Sequence, residues 1–213
     1  MCTETFLHLP AEKRKRILDA AWEEFTSVPF AGASINQIIR RAGIPRGSFY
    51  QYFADKGDLF NCLMEDVREE MRKFAGTYLA ESHGDVFRAT LSAYDRLLDW
   101  WDSGSVPLLN RIVQVLRINP GIDLETMITG NPEDMMTEEV LNQIDLPRLR
   151  RRDGEFVKTM CCLTGMCLGG AWMGSLSAPS RRQEHRRRLM ESLDIIRRGS
   201  LTEDALREGG AWE

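Results

Sequence analysis

Histidine is scarce in this chain. His8, His83 and His185 stand far apart, and no two have the spacing of metal ligands. A glycine-rich phosphate loop, a dinucleotide fingerprint and a nucleophile elbow are all missing. So is any Cys-x-x-Cys pair; the one cysteine cluster is Cys161, Cys162 and Cys167. On a helix Cys161 and Cys162 diverge by about 100°. The plain reading is small buried hydrophobes, and the competing one is a thiol redox or soft-metal sensor. These gaps speak against a metal centre, a cofactor and an enzyme. An excess of positive charge is also missing. The formal net charge is −4 and the pI about 5.6, which excludes a wholly basic coat protein for nucleic acid. With five cysteines and no secretory leader, a reducing cytoplasm is the expected location.

Charge is absent from Thr159 to Ala178. A run of about twenty such residues meets the length criterion for a membrane span. The segment is only moderately apolar, however, and it carries Gly165, Gly169, Gly170 and Gly174 among Ser, Thr and Cys. It reads as a helix buried on all sides in a soluble protein, with no membrane partner. Its small-x-x-x-small spacings let two helices approach closely. A last helix over Ser180 to Arg198 turns Leu189, Met190, Leu193 and Ile196 inward. Two such helices doubled by a twofold axis make a four-helix interface. Gly165, Gly169, Gly170, Leu189 and Leu193 are its expected members.

What the chain does have is concentrated between Ser34 and Lys56, SINQIIRRAGIPRGSFYQYFADK. Ser34 and Gln37 have the spacing of a capping box. Ile35, Ile38, Ile39 and Ala42 form one apolar face of a short helix. Gly43 ends it, Ile44 plugs the corner, and Pro45 suits the start of the next helix. On a wheel, Phe49 and Phe53 point one way. Gly47 and Gln51 point the other way, with Arg46, Ser48, Tyr50 and Tyr52 on the flanks. That outer face is rich in groups that bond phosphates and base edges. Two helices joined by a glycine turn, the second facing outward, predict a helix-turn-helix.

The run RAGIPRGSFYQYFADKGDLF resembles the DNA-binding signature of the TetR family of bacterial transcriptional regulators. The resemblance rests on Ala42-Gly43-Ile44, Gly47-Ser48, Phe49-Tyr50, Tyr52-Phe53 and Lys56, and covers about the first quarter of the chain. It implies an all-α fold. A helix-turn-helix head over residues 1–54 would precede a helical ligand-binding and dimerisation domain over residues 55–213. The expected DNA contacts are Ser34, Arg46, Gly47, Ser48, Tyr50, Gln51, Tyr52 and Lys56. Tyr50, Tyr52, Ser34 and Lys56 are expected on phosphates, and Gln51 and Arg46 on bases. The resemblance further implies a homodimer on a palindromic operator, acting as a repressor released by a small hydrophobic ligand.

Charge distribution agrees with a DNA-binding head. Pro10 to Phe53 holds seven Lys or Arg against four acids, on an acidic chain. Residues 1–9 read as a loose arm. The basic run Lys13-Arg14-Lys15-Arg16 opens the first long helix, and some of it is expected to reach phosphates. Asp55 caps a helix running to about Leu79, long enough to join two domains. Met71, Tyr78, Tyr94, Leu98, Trp101 and Cys167 are the expected pocket residues, apolar and aromatic. Residues 122–153 read as short helices and loops, with a lid over the pocket as one possibility. Two alternatives come from other classes: a sensor acting without DNA, and an enzyme on a helical scaffold.

Overall fold

The computed structural model describes residues 3–120 and 137–208; the lid reading lies in part outside them. The fold is all-α, and among the described residues the only β pairing is an isolated bridge between Leu149 and Leu201. In chain order the helices are α1 (Glu4–Leu7), α2 (Ala11–Ser27), α3 (Ile35–Ala42), α4 (Arg46–Tyr52), α5 (Lys56–Glu81), α6 (Val86–Ser103) and α7 (Pro107–Ile118). After the undescribed stretch follow α8 (Glu138–Leu141), α9 (Gly154–Ser177), α10 (Arg182–Ser200) and α11 (Glu203–Glu208).

The chain divides into two compact units. One is Met1–Glu69 with Gly104–Ile128, and the other is Glu70–Ser103 with Thr129–Glu213. In the first unit α2 packs on α3 and on α7, and α1 packs on α4. The core of this unit is aromatic: Trp22, Phe25, Phe49, Phe53 and Phe60 are buried. Arg111 of α7 reaches Asp19 of α2 at 3.3 Å and lies over the Trp22 ring. So α7, which falls within the residues 55–213 expected to form the later domain, packs with the head.

The second unit is built on α9, which packs against α10 and α6. Tyr94 on α6 is fully buried, and its hydroxyl lies 2.7 Å from Ser175 Oγ on α9. Arg182 and Arg186 on α10 form bidentate pairs with Asp102 and Asp95 on α6. Gly84 turns the chain between α5 and α6 at φ +80°, pressed against the backbone of Gln143 and Asp145. A side chain is excluded there, because a Cβ would stand 2.5 Å from a carbonyl oxygen.

Three expectations about these helices need correction. First, α9 is not buried on all sides. It is long and apolar enough by composition to cross a membrane, yet only 28% of its apolar window is buried in the chain. Leu163 and Met166 stand 45% and 52% exposed. Second, Leu189 and Leu193 do not face outward toward a partner. They are buried against the chain's own helices, because α10 turns that stripe toward α9 and α6. Third, the segment before Pro10 is not loose over residues 3–9: it forms α1, and Phe6 is buried.

Candidate nucleic-acid interface

The turn between α3 and α4 forms as its residues require. Gly43 adopts φ +63°, and its N–H and that of Ile44 reach back to the carbonyls of Arg40 and Ile39. Ile44 is buried in the corner, and Pro45 immediately precedes α4. Phe49 and Phe53 root α4 in the core at 0% exposure each. That root leaves Arg46, Gly47, Tyr50 and Gln51 exposed and Ser48 half-buried. A Cβ on Gly47 would meet nothing within 4 Å, so the glycine has no packing reason inside the chain.

Arg46 is held in place. Its Nη1 donates to Asn36 Oδ1 on α3 at 3.2 Å, and its guanidinium lies 5.9 Å over the Tyr50 ring. Asn36 is exposed beside the reader and was not among the expected contacts. The only sequence signal for it is a polar residue early in α3, off the apolar face.

The capping box does not form. Ser34 makes no side-chain cap, and its N–H donates to Glu24 Oε1 at 2.9 Å instead of meeting Gln37. Glu24 is buried in α2, and its other oxygen takes Arg41 at 2.6 Å. A buried carboxylate with both oxygens bonded outcompetes a half-buried, neutral amide. It ties the start and end of α3 to α2 and leaves the half-buried Ser34 hydroxyl off the helix end. The capping signature appears two helices later. Asp55 accepts from the Asp58 N–H at the start of α5, and Asp58 accepts from the Ala54 N–H.

Two expected phosphate contacts are otherwise engaged. Tyr52 is buried at 4% exposure, with its ring on Phe6 and Phe53 and its hydroxyl accepting from Lys13 Nζ at 3.1 Å. On a seven-residue helix packed from two sides, a flank position becomes core. Lys56 directs its three N–H groups at the carbonyls of Phe30, Ala31 and Ala33, at 2.8, 2.8 and 3.3 Å. Its ammonium also sits 5.1 Å over the Phe30 ring. It therefore braces the 3₁₀ turn Phe30–Gly32 that leads into α3. The basic run is partly engaged as well: Lys13 bonds Tyr52, Arg14 bonds the Leu7 carbonyl, and Lys15 pairs with Asp19. Asp19 is held below the usual carboxylate range, first by its hydrogen bond from Lys15. Arg16 is left exposed.

None of the expected pocket residues lines the cavity found among the described residues. Tyr94 bonds Ser175, Tyr78 accepts from Arg96 at 2.9 Å, and Met71, Leu98, Trp101 and Cys167 are half-buried. A cavity of about 10 Å³ lies elsewhere in the second unit, lined by Val86, Phe87, Ile144, Leu149, Met160 and Leu201 among others. It has room for a water molecule at most. Burial, with Cys162 next to it, pushes the Cys161 thiol up to about 12. It is therefore protonated at neutral pH and unsuited to sensing. Among the described residues no cluster of His, Cys, Asp or Glu is placed to hold a metal.

A helix rooted by two phenylalanines, held across a glycine turn and presenting Arg, Gly, Tyr and Gln to solvent, defines a helix-turn-helix DNA-binding protein. Comparison with known proteins assigns it further. Residues 17–63 match the family model of bacterial regulatory proteins, tetR family. The HTH-type transcriptional regulator YdgC of Bacillus subtilis is 34% identical over 94 residues, which are 43% of this chain and 48% of YdgC. The regulator BetI of Escherichia coli is 35% identical over 66 residues, 31% of this chain and 34% of BetI. The chain thus spans about half the length of YdgC, and less of BetI, in these matches. Among solved structures, SmeT in complex with triclosan aligns with a TM-score of 0.59 at 20% identity, over 91% of this chain and 94% of SmeT. A tetR family transcription regulator from Shewanella sp. PV-4 aligns with a TM-score of 0.56 at 21% identity, over 90% and 99%. These two share the fold. The N-terminal segment is thus similar to the DNA-binding segment of TetR family transcriptional regulators.

Proposed function

We propose that the protein is a homodimeric, cytoplasmic repressor that binds a palindromic operator through α4 and is released by a small hydrophobic ligand. The observation that carries the DNA reading is the outer face of α4. Arg46, Tyr50 and Gln51 are exposed there, on a helix whose other side is fully buried. Gln51 suits adenine and Arg46 suits guanine in the major groove. Asn36 holds Arg46 in the reading position. Tyr50, Ser34 and Arg16 serve the phosphates, and Gly47 and Ser48 allow the backbone to come close. Tyr52 and Lys56 act one step back, by holding α4 and the turn before α3. The head over residues 1–54, with α7 packed on it, reads DNA, and the remaining helices of residues 55–213 dimerise and bind ligand.

Dimerisation is supported by the uncovered side of α9 and α10. Leu163, Met166 and Gly170 recur at i, i+3, i+7 on α9, and Ile195 on α10 is 73% exposed. A Cβ on Gly165, Gly169 or Gly170 meets nothing within 4 Å in the single chain. The interface therefore uses these residues, while Leu189 and Leu193 support them from inside. For the ligand, SmeT, which shares the fold, is solved as a complex with triclosan. An equivalent pocket here would open by separating the packed Tyr78, Tyr94, Leu98 and Trp101, with Met71 and Cys167 at its edge. The helix α5 contributes to both compact units and is the element placed to carry a change between them.

The test is selection of binding sites from random duplex DNA by the purified protein, followed by gel shifts across a salt series. The expected result is a palindromic site bound with a steep salt dependence. Failure to enrich any sequence would refute the DNA-reading assignment for this chain.

A further inference from the structure

We infer that residues 3–8 are a clamp that holds the reading helix in its DNA-competent shape, so that a segment outside the family-matched stretch of residues 17–63 governs operator affinity. The inference rests on α4 being the DNA reader. A helix of seven residues is far below the ~12–15 residues at which an isolated helix becomes marginally stable. Its last carbonyls also need partners. The chain supplies no glycine cap after α4, and no side chain caps its start.

Thr3 supplies the missing partner. Its hydroxyl lies 3.2 Å from the Gln51 carbonyl and 3.0 Å from the Tyr52 carbonyl, and shares its proton between them. The same oxygen accepts the Phe6 N–H at 3.3 Å, so one side chain begins α1 and closes α4. Phe6 is 1% exposed, with its ring centroid 4.7 Å from Phe53 and 6.1 Å from Tyr52. One contact returns the segment to α2, where Arg14 Nη1 donates to the Leu7 carbonyl at 3.0 Å, and a second ties α4 itself to α2, where Lys13 Nζ donates to the Tyr52 hydroxyl. None of these residues lies on the exposed reading face. Their effect on DNA passes through the population of ordered α4, and the apparent dissociation constant rises in inverse proportion to that population.

The test compares wild type with Phe6→Ala, Phe6→Leu, Thr3→Val and Thr3→Ser. Affinity is measured on the duplex that wild type selects from a random library. Amide hydrogen exchange is measured on the DNA-free protein. Phe6→Ala should weaken binding by about tenfold and Thr3→Val by about threefold, while Phe6→Leu and Thr3→Ser should recover most of the loss. Exchange should quicken at Phe49 to Phe53 and stay unchanged in α9 and α10. Wild-type affinity in Phe6→Ala overturns the inference. So does an exchange increase spread equally over α2, α3 and α5, which marks plain loss of stability. Should wild type select no duplex, the DNA reading falls, and the exchange comparison still decides whether the clamp exists.

Discussion

Side chains on the same short helix divide into two kinds, and a substitution separates them. Tyr50 is 49% exposed and assigned to a phosphate. Tyr50→Phe should therefore weaken binding to all sequences by a similar factor, about 1 kcal/mol for one lost hydrogen bond. Gln51→Ala and Arg46→Ala should instead relax the preference at one base position per half-site, by about 1–3 kcal/mol each. Identical preferences from wild type and both alanine variants in a binding-site selection would show that other residues read the bases. The cysteines give a second residue-scale prediction. Folding keeps the Cys161 thiol neutral by burial, so thiolate chemistry there is suppressed up to a pH near 12. Alkylation at pH 8, mapped by mass spectrometry, should modify Cys161 only after denaturant is added. Rapid labelling of the native protein there would revive the thiol-sensor alternative.

Elements are held by glycines of two opposite kinds. Gly84 has φ +80° and no room, since a Cβ would lie 2.5 Å from the Gln143 carbonyl oxygen and 2.6 Å from the Asp145 nitrogen. Gly84→Ala should destabilise the protein by about 2–4 kcal/mol, from backbone strain and overpacking together. A chemical denaturation midpoint shows this directly, and an unchanged midpoint would mean that the α5–α6 turn relaxes freely. Gly170 has open space in the single chain. Gly170→Leu should leave the folded monomer intact yet disturb a close helix pairing between two copies. Sedimentation should then show a helical, cooperatively melting monomer where wild type sediments as a dimer. A wild-type monomer at micromolar concentration would refute the assembly itself.

At the scale of the molecule, two copies of so short a reader must present their helices about 34–36 Å apart to enter successive major grooves. A ligand need only favour a dimer with a different spacing to release DNA. Reciprocity then follows: a ligand that weakens DNA affinity tenfold is itself bound tenfold more weakly by the DNA complex. A small apolar compound found by thermal shift should show that difference when titrated with and without the selected duplex. Equal affinity in both titrations would mean that the bound compound is no inducer. Trp101→Ala should reduce its binding and leave DNA binding unchanged.

Local chemistry was enough to determine the helix-turn-helix. Gly43 must end α3, Phe49 and Phe53 must be buried, and Gln51 must then face out, whatever else the chain does. The long helix after Asp55 and the last helices over Thr159 to Arg198 were likewise legible, and the all-α class followed from the family resemblance. Partners distant in sequence were not legible. Glu24 takes the Ser34 N–H from Gln37, Lys56 turns to three carbonyls rather than outward, and Thr3 meets the end of α4 from 48 residues away. Each of these is a competition among donors and acceptors that only a three-dimensional arrangement can decide. Leu189 and Leu193 illustrate the same limit for apolar groups. Periodicity marks the stripe that α10 must bury, but packing against α6 and α9 determines that the chain itself covers it. Intramolecular packing likewise decides what stays uncovered: Leu163, Met166 and Ile195 are exposed and the glycines of α9 open, and the proposed pairing of two copies would use them.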